Sequence, residues 1–179
     1  SFILKNLLLV FMNAFFIRGV LEIQPTIAGD LLSGSSTGLS VITTSAGIGA
    51  LVGSIVLGSG KYLKDNLINL FKPMLILGFM NCIIIGLLPN LFILTISFLL
   101  IGFSTTLVGI GTQTLIQLNV KETYRARVLT WWSTISFGAL SLGGIFIGLC
   151  GEYIPLTLAI LVISITGFLL LWYNSRFSF

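Results

Sequence analysis

Apolar residues in this chain neither alternate nor recur with the one-face rhythm of a surface helix. They run almost unbroken for about twenty residues at a time, and six such runs follow one another, at about 6–28, 38–58, 70–88, 91–117, 128–150 and 155–173. A helix crossing a hydrocarbon core of about 30 Å needs about 20 residues, so the pattern predicts six transmembrane helices. Strands are disfavoured, because lipid-facing barrel strands are about ten residues long and alternate. The fold class expected is an all-α membrane protein, one six-helix domain over 1–179. Its halves, three helices each, have opposite orientation, which is compatible with a 3+3 inverted repeat.

The polar residues between the runs set the sidedness. Lys5, Lys61, Lys64, Asp65, Lys72, Lys121, Glu122, Arg125, Arg127 and Arg176 all fall on one side, and Asp30 and Glu152 on the other. By the positive-inside rule both termini are cytoplasmic, which places a multi-pass chain in the cytoplasmic (inner) membrane. Trp131, Trp132, Trp172 and Tyr173 sit at cytoplasmic ends of runs, as an aromatic belt would. Pro89 and Asn90 make a tight outer turn. The loop from Ser59 to Phe71 carries Lys61, Leu63, Asn66, Leu67 and Leu70, a spacing that fits either a short amphipathic surface helix or a solvated loop.

Composition agrees. Of 179 residues, 56% are hydrophobic and 8% charged, and the mean hydropathy is +1.11. A soluble domain carries about 25% charged residues, so lipid is the expected partner of most of the surface. The net charge of +4 does not point to nucleic acid, since the cations occupy short loops. With no histidine, His-based catalysis, His metal sites and His proton relays are excluded; no catalytic set, metal site or cofactor is expected. Cys82 and Cys150 lie in or at the end of apolar runs and read as small packed hydrophobes. The first run is too long for a signal peptide and carries two charges. The start at Ser1, not Met, suggests a fragment or half of something larger.

Those two charges are the sharpest chemical feature. Arg18 and Glu22 are four apart on one helix face, and Arg18 lies roughly 18 Å into the span at 1.5 Å per residue. Two central charges cost about 5–7 kcal/mol to insert, while the twelve Leu, Ile, Val and Phe residues of the run return about 4–7 kcal/mol. This face must therefore be hidden from lipid. One reading is functional: substrate binding by Arg18, or proton coupling by Glu22 switched by competition for Arg18. The other is a structural ion pair. Pro25 removes a backbone hydrogen bond nearby and predicts a kink, and Gln24 and Thr26 add polar groups.

The fourth run is the second polar one, with Ser104, Thr105, Thr106, Gly109, Gly111, Thr112, Gln113 and Thr114 in its inner half. Thr105, Gly109 and Thr112 share a face, with Thr106 and Gln113 on an adjacent one. This is either a cavity wall or hydroxyls bonded back to their own helix. The second and fifth runs hold small-xxx-small patterns, Gly49 with Gly53 and Gly144 with Gly148, which permit close helix approach.

The stretch QLNVKETYRARV from Gln117 to Val128, followed by SFGALSLGG from Ser136 to Gly144 and by Gly148, resembles the tenth helix, cytoplasmic loop and eleventh helix of major facilitator superfamily transporters. Ala126 stands where that family usually has Gly, and Ser141 where it has Pro. Arg18, Glu22 and Pro25 resemble the seventh helix of its drug and siderophore efflux branch. The segment from Gly58 to Asp65 resembles a degenerate form of its cytoplasmic glycine and basic loop. The resemblance spans nearly the whole chain.

It implies the C-terminal six helices of a twelve-helix secondary transporter, working by alternating access, often proton-driven. The partner would be an N-terminal six-helix half, in the same chain or a second copy. The first and fourth helices of each half line the cavity, which agrees with the polarity of those runs here. The expected function is proton-coupled efflux (antiport) of a small molecule. Expected site residues are Arg18, Glu22, Gln24, Thr105, Thr112 and Gln113 for binding or coupling, with Lys64, Asp65, Arg125 and Arg127 at the cytoplasmic gate. The rival reading is a non-transporting six-helix scaffold or truncated transporter remnant.

Overall fold

A computed structural model of the chain describes residues 2–60 and 67–176. Backbone polar groups have no water to bond in a bilayer, so each apolar run satisfies them internally as a helix. Six helices result: α1 (residues 2–31, interrupted), α2 (Ser36–Gly58), α3 (Leu67–Leu87), α4 (Leu91–Asn119), α5 (Glu122–Tyr153) and α6 (Leu156–Arg176). All six are long and apolar enough to cross a membrane. Each predicted run is found, with its ends moved by a few residues. Lys64 and Asp65, and the polar part of the proposed amphipathic segment (61–66), lie outside the described residues.

The turns follow local chemistry. After α1, Ser33 and Gly34 take positive φ of 55° and 71°, and the Gly34 N–H reaches back to the Ala28 carbonyl, a left-handed helix stop. Ser35 caps α2 by accepting from the Gly38 N–H at 3.0 Å. Asn90 caps α4 by accepting from the Phe92 N–H at 3.1 Å, which makes the Pro89–Asn90 connection as short as the sequence suggests.

One connection differs from expectation. The basic stretch after α4 is not a loop: only Val120 and Lys121 separate the helices, and Glu122 to Arg127 form the first turns of α5. Glu122 sits in the first helical turn, where the helix dipole favours a carboxylate, and α5 continues beyond its apolar stretch. Arg125 and Arg127 therefore stand on a rigid helix. Arg125 is half-buried, Arg127 is exposed, and the Arg125 Nε is buried with no hydrogen-bond partner.

Helix α1 is the irregular one. An α-helical stretch, Phe2–Met12, gives way to a π-helical turn, Asn13–Arg18, then one α turn, Gly19–Glu22, and a last piece, Gln24–Leu31. The break falls at Ile23 (φ −94°, ψ 15°), two residues before Pro25, whose ring and missing N–H prevent continuation of the ladder.

Two crossings without side chains hold the bundle. A methyl group at Gly49 would collide with the Leu99 carbonyl, and one at Gly102 with the Ala46 carbonyl, so α2 and α4 touch backbone to backbone. Likewise a methyl group at Gly143 would collide with the Phe15 carbonyl, and one at Gly19 with the Gly143 backbone, so α5 lies on α1. If α1–α3 are matched with α4–α6, the two crossings correspond. The Gly49–Gly53 pattern is in contact throughout. In the second pattern Gly148 faces open space and Gly143 with Gly144 make the contact.

Behind these four helices α3 packs on α6. Gly86 admits Leu161, and Gly167 admits Phe16 and Phe79. Phe79 and Phe168 meet edge to face with centroids 6.4 Å apart. Phe71, Leu75, Phe98 and Ile101 complete the buried core.

Candidate functional site

Residues of α1, α2, α4 and α5 line an open cavity of about 420 Å³. Arg18, Leu21 and Gln24 come from α1, and Thr43, Ala46, Gly47 and Ala50 from α2. Gly102, Thr105, Thr106, Gly109 and Ile110 come from α4, and Trp132 from α5. The glycine crossings shape this space. The bare backbones of α2 and α4 touch at Gly49 and Gly102, and small residues of both helices border the cavity beside that contact.

Arg18 closes the π-helical turn, is half-buried, and donates from Nη1 to Ser136 Oγ on α5 at 3.4 Å. Among the described residues no salt bridge joins Arg18 to Glu22, the ion pair that one of the two readings of these charges offers, although Glu22 acts on Arg18 electrostatically. Glu22 is exposed and packs its Cβ beside Gly144. The backbone between them is α-helical, so it is the side chains that diverge, Arg18 toward Ser136 and Glu22 toward Gly144.

Gln24 is buried, and its Oε1 accepts from Thr43 Oγ1 at 2.9 Å, tying α1 to α2. Thr105 lines the cavity while its hydroxyl bonds back to the Ile101 carbonyl at 2.8 Å. Both readings of the α4 hydroxyls therefore hold for the same residue.

Thr112 and Gln113 were expected on the wall and are not there. Thr112 is fully buried and donates to the Val108 carbonyl at 2.7 Å. It also accepts from the Trp132 indole N–H at 3.2 Å, so it positions a residue that does line the cavity. Gln113 is half-buried and away from it.

Four contributors escaped the sequence reading. Trp132 was placed in the aromatic belt beside Trp131; Trp131 is 64% exposed, while Trp132 turns inward. Ser136 and Thr43 carried no signal, being hydroxyls among many. Asn13 did carry one, a lone amide in an apolar run five residues before Arg18. It is only 3% exposed, its Nδ2 donates to the Thr105 carbonyl at 3.3 Å, and its Oδ1 has no partner. Among the described residues no group of three His, Cys, Asp or Glu side chains comes together to hold a metal ion.

A cation, an amide, hydroxyls and an indole thus border one cavity between glycine-packed helices that are long and apolar enough to cross a membrane. Residues 2–177 match the family described as transmembrane secretion effector, and the chain belongs to that family, within the major facilitator superfamily of transporters. No match was found among curated proteins or among solved structures. The fold expected from the resemblance is thus the fold present, an all-helical, six-span half of the major facilitator type.

Proposed function

We propose that the six helices form one domain that is the C-terminal half of a proton-coupled efflux transporter working by alternating access, and that the cavity is its substrate site. The observation that carries this reading is the convergence of Arg18, Gln24, Thr105 and Trp132 on one open cavity of about 420 Å³. Its size is in the range of small-molecule sites. Glu22, exposed and one turn beyond Arg18, is the candidate proton carrier.

The bundle is open where a second half would sit. The most apolar stretches of α2 and α5 are 28% buried, against 50% for α4, and Gly47 and Gly138 border open space. These two helices are the ones an N-terminal six-helix half, from the same chain or a second copy, would cover. Both ends of the chain would face the cytoplasm across an inner membrane, since the cations gather on that side. The site holds binding groups and no catalytic set, which favours transport over an enzyme.

The test is transport in everted membrane vesicles carrying the full-length protein. Proton-driven uptake of amphipathic dyes, abolished by Arg18→Ala and uncoupled from the proton gradient by Glu22→Gln, is the expected result. Gradient-independent movement in the wild type removes the coupling. No movement of any probe by a well-folded protein favours the scaffold reading.

A further inference from the structure

The charge balance of the cavity points to the class of its ligand. Among the described residues one cation, Arg18, lines the wall, and no carboxylate does. The guanidinium has five N–H donors. It makes one hydrogen bond, a long one of 3.4 Å, to the neutral hydroxyl of Ser136. Glu22 is the nearest candidate counter-ion in sequence, but no salt bridge joins it to Arg18, and it lies outside the cavity wall. Glu22 acts on the guanidinium electrostatically without pairing with it, and an arginine held inside a membrane span without a paired carboxylate is costly. Its planar fork matches a carboxylate, sulfonate or phosphate in two-point geometry.

Trp132, which also lines the cavity, supplies the second element. The Trp132 indole is held by its bond to Thr112, itself fixed to its own helix, so the ring is a preset flat apolar surface. Gln24 spends its amide oxygen on Thr43.

We propose that the cavity selects an amphipathic organic anion, its acidic head taken by Arg18 and its flat apolar body lying on Trp132. This rests on the reading of the cavity as a substrate site.

The test uses the full chain in lipid nanodiscs with Trp131→Phe and Trp172→Phe, leaving Trp132 as the reporter among three tryptophans. Quenching of its fluorescence is titrated with N-dansylglycine, an anion, with its uncharged methyl ester, and with the cation dansylcadaverine. The expected result is saturable quenching by the anion at about tenfold lower concentration than by either other probe, as charge-assisted hydrogen bonds imply. Arg18→Gln is expected to erase that difference and Thr134→Val, at an exposed position of α5, to keep it.

Equal saturable quenching by ester and anion overturns the anion preference while leaving the substrate site intact. Preference retained in Arg18→Gln overturns the role of Arg18. No saturable quenching by any of the three removes the substrate site itself. If Arg18→Gln does not assemble, the comparison of the three probes on the unsubstituted Arg18 protein decides alone.

Discussion

Arg18 donates to Ser136 on α5, at 3.4 Å, and not to Glu22 four residues further along its own helix. The bond joins the π-helical turn of α1 to the helix that crosses it at Gly19 and Gly143. Close backbone approach at that crossing is what brings Ser136 within reach. π turns inside α-helices are frequent at functional sites, and this one ends on the residue that carries the cavity's charge.

Glu22 therefore contributes little to folding. Glu22→Gln is expected to change unfolding free energy by less than about 0.5 kcal/mol, as for a surface substitution. A buried structural ion pair would cost about 3–5 kcal/mol when one partner is removed. The midpoint of thermal unfolding in nanodiscs separates the two, and a loss of the larger size would restore the ion-pair reading.

The glycine crossings are expected to be intolerant in a position-specific way. Gly143→Val drives a side chain into the Phe15 carbonyl and should destabilise by about 1–3 kcal/mol or prevent assembly. Gly148→Ala, on the same helix but facing open space, should be neutral in stability. Equal effects at the two positions, read by size-exclusion profile and unfolding midpoint, would show that α5 is rotated from the placement described.

The Trp132–Thr112 bond is a positioning contact. Double-mutant cycles within membranes average about 0.6 kcal/mol for such bonds. Trp132→Phe with Thr112→Val should give a coupling of that order, and Trp132→Phe with Thr134→Val, whose side chain is exposed, a coupling near zero. Additive behaviour of the first pair would remove the contact.

Asn13 combines one bond of 3.3 Å with an unpartnered buried oxygen. Asn13→Leu discards both the bond and the orphan acceptor, and near-neutral stability is expected, within about 1 kcal/mol. Asn13→Asp puts an unpaired charge in the same place and should cost several kcal/mol. Comparable losses for both variants would mean that the amide's size, not its polarity, is what the site needs.

What the sequence determines by itself here is the number and order of the helices. That follows because lipid leaves a backbone no partner but its own helix, so hydropathy, a local quantity, fixes each span. Local chemistry also fixes the Asn90 cap and the interruption near Pro25. The polarity of α1 and α4, visible in Arg18, Gln24 and Thr105, announces two of the four helices that line the cavity.

Which side chains meet is another matter. Trp132 turns inward while Trp131 faces out. Gly143 makes the crossing that Gly148 does not. Thr112 holds an indole instead of lining a wall. Arg18 reaches Ser136, 118 residues away in the chain. Each of these depends on the rotation and tilt of one helix against another, and in α1 on a π turn that shifts the register of everything after it. Those quantities are set by non-local packing at a few bare glycine contacts, and no window of sequence as long as a single helix contains them.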